Sequence, residues 1–338
     1  MASLPDRPDM AQLRRQAKEL YRSAAGGDPE GIRRLLAVSE RSTLNAAQLA
    51  LAREHGFSSW PQMCAAVEAA RQTGPSPLMA DKHRGTAVYG ADDVLSWAQA
   101  EGWRPGARPI GAVFTSQTFI TSHLAGQPDR YPPSATLTPI NGRVFLTAAP
   151  PTVAIACVGV GAPALVTLLE HLVGLGVGSF LAVGPAPAVA TDLTWGDCVV
   201  IDRALRDDGV SGHYLPPARY AMPDVVLTRA LLAGATAKGL HPMLGSAWTV
   251  PTPFRTTDEE LTAYRNEGVL VTDMVTAALF AVAAALGVRA ASAVIATRAV
   301  DARRATATPE ASVPPRRGRV TKLLEAAVAV LQSTEVAA

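Results

Sequence analysis

The chain has 338 residues, of which 48% are hydrophobic and 18% charged, and its formal net charge is +2. That balance excludes a disordered polar chain and leaves room for one large core with a smaller companion unit. It also argues against nucleic acid as a partner: there is no long basic run, and the Arg303-Arg304 and Arg316-Arg317 pairs sit in a Pro/Ala/Thr-rich stretch that reads as a solvated loop.

Residues 1–72 read as a small all-α unit. In "GDPEGIRRLLAV", Asp28 is placed to cap a helix with Pro29 in its first turn. "STLNAAQLALAREHG" has helical spacing and stops at Gly56, and in "SSWPQMCAAVEAA" Ser59 and Gln62 have capping-box spacing. The leading "MASLPDRPDMAQLRRQAKEL" lacks an apolar leader core, so secretion is not expected. The stretch "RQTGPSPLMADKHRG", at about 71–85, reads as a linker and leads into a linker and entry segment over 73–106.

From residue 107 to the end, apolar runs and helical stretches alternate, as in an α/β domain. "PIGAVF", "TVAIACVGV", "GSFLAVG", "DCVVI" and "SAVIAT" read as buried strands. Helices are expected at 162–175, 225–238, 259–267 and 274–287, with a last one over "VTKLLEAAVAVLQS". Within "SFLAVGPAPAVATDLTWGDCVVI", the Gly184-Pro185-Ala186-Pro187 stretch reads as a tight turn between strands. The uncharged run 151–169 contains Gly159, Gly161 and Pro163 and leads into Glu170-His171, which fits a buried strand–turn–helix better than a membrane span. Residues 302–318 read as a mobile loop suited to act as a lid.

Candidate chemistry is sparse. Gly159-x-Gly161-x-x-Ala164 has the outline of a dinucleotide-binding turn, but no acid ends the following strand to hold a ribose, so no such cofactor is expected. The three cysteines, Cys64, Cys157 and Cys198, are far apart, and the histidines do not cluster at ligand spacing. Neither a disulfide framework nor a metal is expected, and a reducing, cytoplasmic setting is. Ser211 lacks the strand-to-helix setting of a nucleophile elbow. His213-Tyr214 lies in a Gly- and Pro-bounded loop of the kind that lines sites. Arg255, on a Pro-fixed loop, and Arg298, at a strand end, are placed to offer rigid donors to a carbonyl or carboxylate.

Four stretches in order, "ACVGVGAPALVTLLEHLVGLGVGSFLAVG", "WGDCVVIDRALRDDGVSGHYLPP", "GSAWTVPTPFRTT" and "EGVLVTDMVTAALFAVAAALGVRA", resemble the nucleoside phosphorylase family of uridine and purine phosphorylases and nucleosidases. Residues 1–72 are similar to the ankyrin-like helical module of many actinobacterial proteins. The first resemblance implies a mixed sheet forming a distorted barrel flanked by helices, homodimers or larger homo-oligomers, and cleavage of an N-glycosidic bond by phosphate or water.

The site residues depart from that family's pattern. The position of the phosphate arginine is Ala182, that of the hydroxyl after it is Pro185, and that of a second phosphate arginine is Phe119. Arg143 matches an arginine that a neighbouring subunit supplies. The sugar-binding Glu-Met-Glu reads Asp273-Met274-Val275, and Thr297 stands where purine-type members place an aspartate. Arg298 and Arg255 match base-side arginines, the latter in Val250-Pro251-Thr252-Pro253-Phe254-Arg255. The expected result is a site with Asp273, Arg255, Arg298 and His213 as reacting or orienting groups. Gly161, Ala182, Pro185, Tyr214, Phe254, Met274, Val275, Thr297 and Arg143 would line it around a small apolar or heterocyclic substrate, without phosphate. Two alternatives remain open: nucleoside cleavage in a rebuilt sugar site, and a non-catalytic ligand-binding or scaffold protein.

Overall fold

The computed structural model describes residues 9–73, 81–90, a few positions between 93 and 100, 109–115, 117–134, 143–300 and 314–333. The chain divides into two compact units, Met1–Met79 and Ala80–Ala338.

The first unit is helical: α1 (Met10–Ala25), α2 (Pro29–Leu36), α3 (Leu44–Glu54) and α4 (Trp60–Thr73). Its starts are set by side-chain caps. Asp9, Asp28 and Thr43 each accept a backbone N–H of the first turn, with Pro29 at the start of α2. Gly56, at φ +85°, follows the end of α3. The Ser59/Gln62 pair forms half of the expected box. Ser59 Oγ accepts the Gln62 N–H at 3.3 Å, whereas the Gln62 side chain reaches back to Ser58 instead. Leucines and alanines at helical spacing close two small cores, around Leu13, Leu51 and Met63 and around Leu20, Leu35 and Ala47.

The second unit is built on a nine-stranded sheet, counted among the described residues. Its strands are β1 (Gly111–Thr115), β2 (Arg143–Leu146), β3 (Val153–Cys157), β4 (Ser179–Ala188), β5 (Cys198–Arg206), β6 (Tyr220–Ala221), β7 (Met243–Thr249), β8 (Val269–Asp273) and β9 (Arg289–Ala299). The helices are α5 (Gln117–Ala125), α6 (Ala162–Gly174), α7 (Val225–Ala237), α8 (Asp258–Asn266), α9 (Thr276–Ala285) and α10 (Pro314–Gln332). Pairing runs β4–β8–β7–β5, and β9 joins β4 to β5, which closes a barrel. β1, β3 and β2 extend outward from β4, and β6 extends from β5. Mixed strand directions and register shifts in β4, β5 and β7 give the barrel its distortion.

One core lies under α6 and α9, the other under α5, α7 and α10. Residues 276–283 of α9 are all buried, so "TAALFAVA" is a helix enclosed on every side rather than an amphipathic one. β1 and β3 are buried throughout, as parallel strands covered on both faces should be.

Two sequence expectations change. The Gly184–Pro187 stretch is not a turn; β4 runs through it to Ala188, paired with β9. β4 leaves β1 after Ala182 and meets β8 only at Ala188. Between those points one edge of β4 has no strand partner. Pro185 and Pro187, two residues apart, turn their nitrogens to the same edge, where no ladder donor is required. The last helix begins at Pro314 rather than near 320, so residues 314–318 of the expected lid are helical; 301–313 lie outside the described residues. β2, β6, β7 and β8 do not stand out as apolar runs: β2 and β6 have only four and two residues, β7 begins with two exposed residues, and β8 ends in Thr272-Asp273.

Glu267, just after α8, ties that helix to β6. It accepts from Arg219 Nε at 2.7 Å, from a second Arg219 nitrogen and from the Tyr220 hydroxyl. The hydrogen bonds from Arg219 and then Tyr220 hold its carboxyl at about 2, below the usual 4.5. A lowered folded value means that the stabilisation is complete above the unfolded value and is lost as pH falls from 4.5 toward 2. Glu267→Gln is expected to cost about 1 kcal/mol at neutral pH, a modest figure because Arg219 is largely exposed. It should also flatten the acid limb of stability against pH, measured by denaturant titration. An unchanged slope between pH 4.5 and 2 would show that the cluster does not couple to folding.

Candidate functional site

The candidate residues sit on loops that leave the strand ends. After β3 the chain turns at Gly161, at φ +96°, and enters α6 with Pro163 in its first turn. A Cβ built on Gly161 would lie 3.9 Å from the Met274 methyl, so the turn after β3 and the turn after β8 face each other. Met274 and Val275 link β8 to α9, and Val275 packs on the core beneath α6 and α9. Tyr214 packs on that same core and donates its hydroxyl to Glu170 Oε1 of α6 at 2.7 Å. Burial, then the Glu170 carboxylate, push the Tyr214 phenol up, so it stays protonated as that donor.

Asp273 is committed to structure. It accepts from Thr249 Oγ1 of β7 at 2.8 Å, from the Val275 and Thr276 N–H groups at 3.2 and 3.3 Å, and from the Thr276 hydroxyl. Thr276 Oγ1 continues to Ser292 Oγ of β9 at 3.2 Å, beside Ala182 across the β4–β9 ladder. The carboxylate therefore caps α9 and knits β7, β8 and β9 together. Burial pushes its carboxyl above the usual range, and the bonds from Thr276 and Thr249 oppose that shift.

The loop after β5 is held from within. Asp208, 2% exposed, accepts the Val210 N–H at 2.8 Å, the Ser211 N–H at 2.6 Å and the Ser211 hydroxyl at 2.6 Å. Arg206 donates to Ser211 Oγ at 3.0 Å and to the Pro216 and Leu215 carbonyls at 2.7 and 3.3 Å. Ser211 is thus a buried structural hydroxyl. His213 ends the short 3-10 turn Ser211–His213, and its Nδ1 lies 2.8 Å from Lys82 Nζ.

The remaining residues are spread along the strands and their ends. Ala182 is buried in β4, and Pro185 is exposed. Thr297 and Arg298 are half-buried near the end of β9, and Arg143 is exposed at the start of β2, opposite Cys157. Phe254, 89% exposed, and exposed Arg255 form the 3-10 turn Pro253–Arg255 after β7. Phe119 falls on α5, with its side chain outside the described residues.

The structure brings Gly161 and Met274 face to face, with Val275 next in the chain, and places Tyr214 against Glu170 further along α6. Glu170, Arg206, Asp208 and Lys82, which hold these loops, were passed over by sequence reasoning. Asp208-x-x-Ser211 has the spacing of a capped turn and was open to detection. Glu170 and Lys82 meet their partners across 44 and 131 residues, a separation that leaves no local signal. Among the described residues, no group of three or more His, Cys, Asp or Glu is placed to hold a metal, and no helix is long and apolar enough to cross a membrane.

Residues 131–329 match a family described as the phosphorylase superfamily. Among curated relatives, uridine phosphorylase of Haemophilus influenzae is 33% identical over 93 residues, 28% of this chain and 37% of that protein. Guanosine phosphorylase of Halorubrum lacusprofundi is 27% identical over 129 residues, covering 38% and 54% respectively. Uridine phosphorylase of Treponema pallidum is 28% identical over 142 residues, covering 38% and 55%. The chain thus spans roughly a third to a little over half of the length of these relatives.

Proposed function

We propose that this chain, which belongs to the phosphorylase superfamily, is a divergent enzyme of that fold that acts without phosphate on a small apolar or heterocyclic substrate. The observation that carries the reading is β4. Where an anion would need donors, this strand presents buried Ala182 and exposed Pro185 and Pro187. Methyl groups and proline rings have no N–H or O–H to give, and Pro185 and Pro187 also lack backbone donors. Enclosing a doubly charged anion against such a wall is strongly unfavourable.

Val275 extends the apolar character to the turn facing Gly161. The polar groups left for chemistry are Arg255, Arg298 and His213, with Asp273 as an orienting carboxylate behind the site. Cleavage, elimination and rearrangement are all compatible with that set, in a homodimer or larger assembly.

The saturation of Asp273 by four donor groups favours one further reading, a non-catalytic ligand-binding protein on the same fold. The relatives' names point instead to nucleoside phosphorolysis.

Isothermal titration with phosphate and ribose 1-phosphate, alongside a uridine phosphorolysis assay, separates the readings. No binding and no turnover are expected. Saturable phosphate binding with turnover would overturn the phosphate-free reading. Turnover of any substrate that survives Arg255→Ala, Arg298→Ala and His213→Phe alike would overturn the assignment of those residues.

A further inference from the structure

In the helical unit, α1 carries opposite charge on two neighbouring sides. Arg14, Lys18 and Arg22 are four residues apart and stack along one side of the helix, with Arg15 beside them. All four are exposed. The ion pairs described in this unit join Arg33 to Glu30 and Arg34 to Glu54, so none of these four cations has a carboxylate partner among the described residues.

The next side of α1, about 100° further round from Lys18, borders a cleft of about 400 Å³ between α1, α2 and α3. Glu19 of α1 and Asp28, Glu30 and Arg34 at α2 line it, with buried Leu20 and Leu51 beneath. Arg34 is matched by Glu54 through bonds of 2.8 and 2.7 Å, and Glu30 by Arg33 through bonds of 2.8 and 2.5 Å. Asp28 takes its hydrogen bonds from uncharged donors, the Ser23 hydroxyl at 2.6 Å and the Gly31 N–H at 2.9 Å. Glu19 has no partner among the described residues. The cleft therefore holds two uncompensated negative charges, and the stripe beside it holds uncompensated positive ones.

Either feature alone would be an ordinary solvated surface. Together, on one small unit, they are complementary to each other. We propose that the occupant of the cleft is a second copy of this chain, whose Arg14–Lys18–Arg22 stripe lies along it. A two-fold axis running along α1 brings each stripe to the other chain's cleft, so both contacts form at once and the assembly closes as a dimer. The arginine and lysine stems would cover the edge of the Leu20 and Leu51 floor while their charged heads reach Glu19 and Asp28. Exposed ion pairs are individually weak, so this association is weak and sensitive to salt. The inference concerns the helical unit alone and does not depend on the reading of the barrel's chemistry.

The test is sedimentation equilibrium of the full chain over a range of concentrations, at low and high salt. A dimerisation step is expected that high salt weakens at least about tenfold. Arg14→Glu/Lys18→Glu, and separately Glu19→Lys, should each weaken it by a similar factor, because each sets like charges against one another. The neutral Lys18→Gln should fall between these and wild type. An equimolar mixture of the two reversed variants should restore the step, since the basic stripe of one then meets the acidic cleft of the other. All three positions are exposed, so melting temperatures close to wild type are expected. Assembly through the barrel would persist in every variant and at high salt, and is the baseline against which the step is read. The proposal is overturned if wild type shows no salt-sensitive step above that baseline, if either reversed variant associates as wild type does, or if the mixture stays as weak as its components.

Discussion

Asp273→Ala is expected to destabilise the barrel unit by about 2–4 kcal/mol, lowering its melting temperature by about 2–4 °C for each kcal/mol. The magnitude follows from what the carboxylate holds. Removing it takes the acceptor from the N–H groups of Val275, which precedes α9, and of Thr276, its first residue. It also strands part of the hydrogen bonding of Thr249 and Thr276, both 0% exposed. Asp273→Asn keeps an acceptor for the backbone and should cost about 1 kcal/mol, in line with the small difference between Asp and Asn as caps.

The pH dependence has the opposite sign to that of Glu267. Burial raises the folded value of Asp273, so the native state keeps this proton to a higher pH than the unfolded chain does. Its contribution to stability is present below the unfolded value and declines as pH rises through the folded one. Asp273→Asn should remove that decline. A group whose role is purely chemical would behave otherwise, with turnover lost in both variants and stability close to wild type in both. Denaturant titration of the two variants from acid to neutral pH distinguishes these outcomes.

Much of the fold was legible because its local rules are obeyed. α6 and α7 fall within a residue or two of their expected spans because Gly161 and Asp224 mark their starts, and α9 begins two residues later than expected, after the Asp273 cap. β1 and β3 were legible as short apolar runs, since they are buried on both faces. The Gly184–Pro187 stretch was misread for a physical reason. Gly-Pro-Ala-Pro carries the composition of a turn, and only the open edge of β4 between β1 and β8 makes it a strand. That openness is a property of the barrel and cannot be read from a window of residues. Gly161, Met274, Val275 and Tyr214 are expected at the site because they lie in the stretches that resemble the family. Asp273 was legible only through its match to the family's sugar-binding motif; its hydroxyl partner Thr249 comes from β7, and Ser292 of β9 bonds its other partner, Thr276. Sequence spacing could not reveal that its oxygens are already taken.

Asp208→Ala is expected to cost about 2–4 kcal/mol and to open the loop after β5 before the barrel itself unfolds. Asp208 accepts three donors, and two of them belong to Ser211, a residue only 3% exposed. Without the carboxylate, the Ser211 N–H is left buried and unpaired. Arg206, whose guanidinium is pulled down by burial and supported by the Asp208 charge, loses that compensation. Its bonds to the Leu215 and Pro216 carbonyls are what close the loop around Tyr214. Arg206→Met should therefore open the same segment, and the double variant should cost less than the sum of the singles, because both act on one network.

Limited proteolysis is expected to cut first between residues 209 and 218 in either variant, with the denaturant midpoint shifted to match. Release of this loop frees His213 from its place beside Lys82 and Tyr214 from Glu170. Ligand binding at the candidate site should then fall in proportion to the fraction of opened loop. A midpoint within about 0.5 kcal/mol of wild type for Asp208→Ala, the range of ordinary surface changes, would show that the loop is held by something other than this carboxylate.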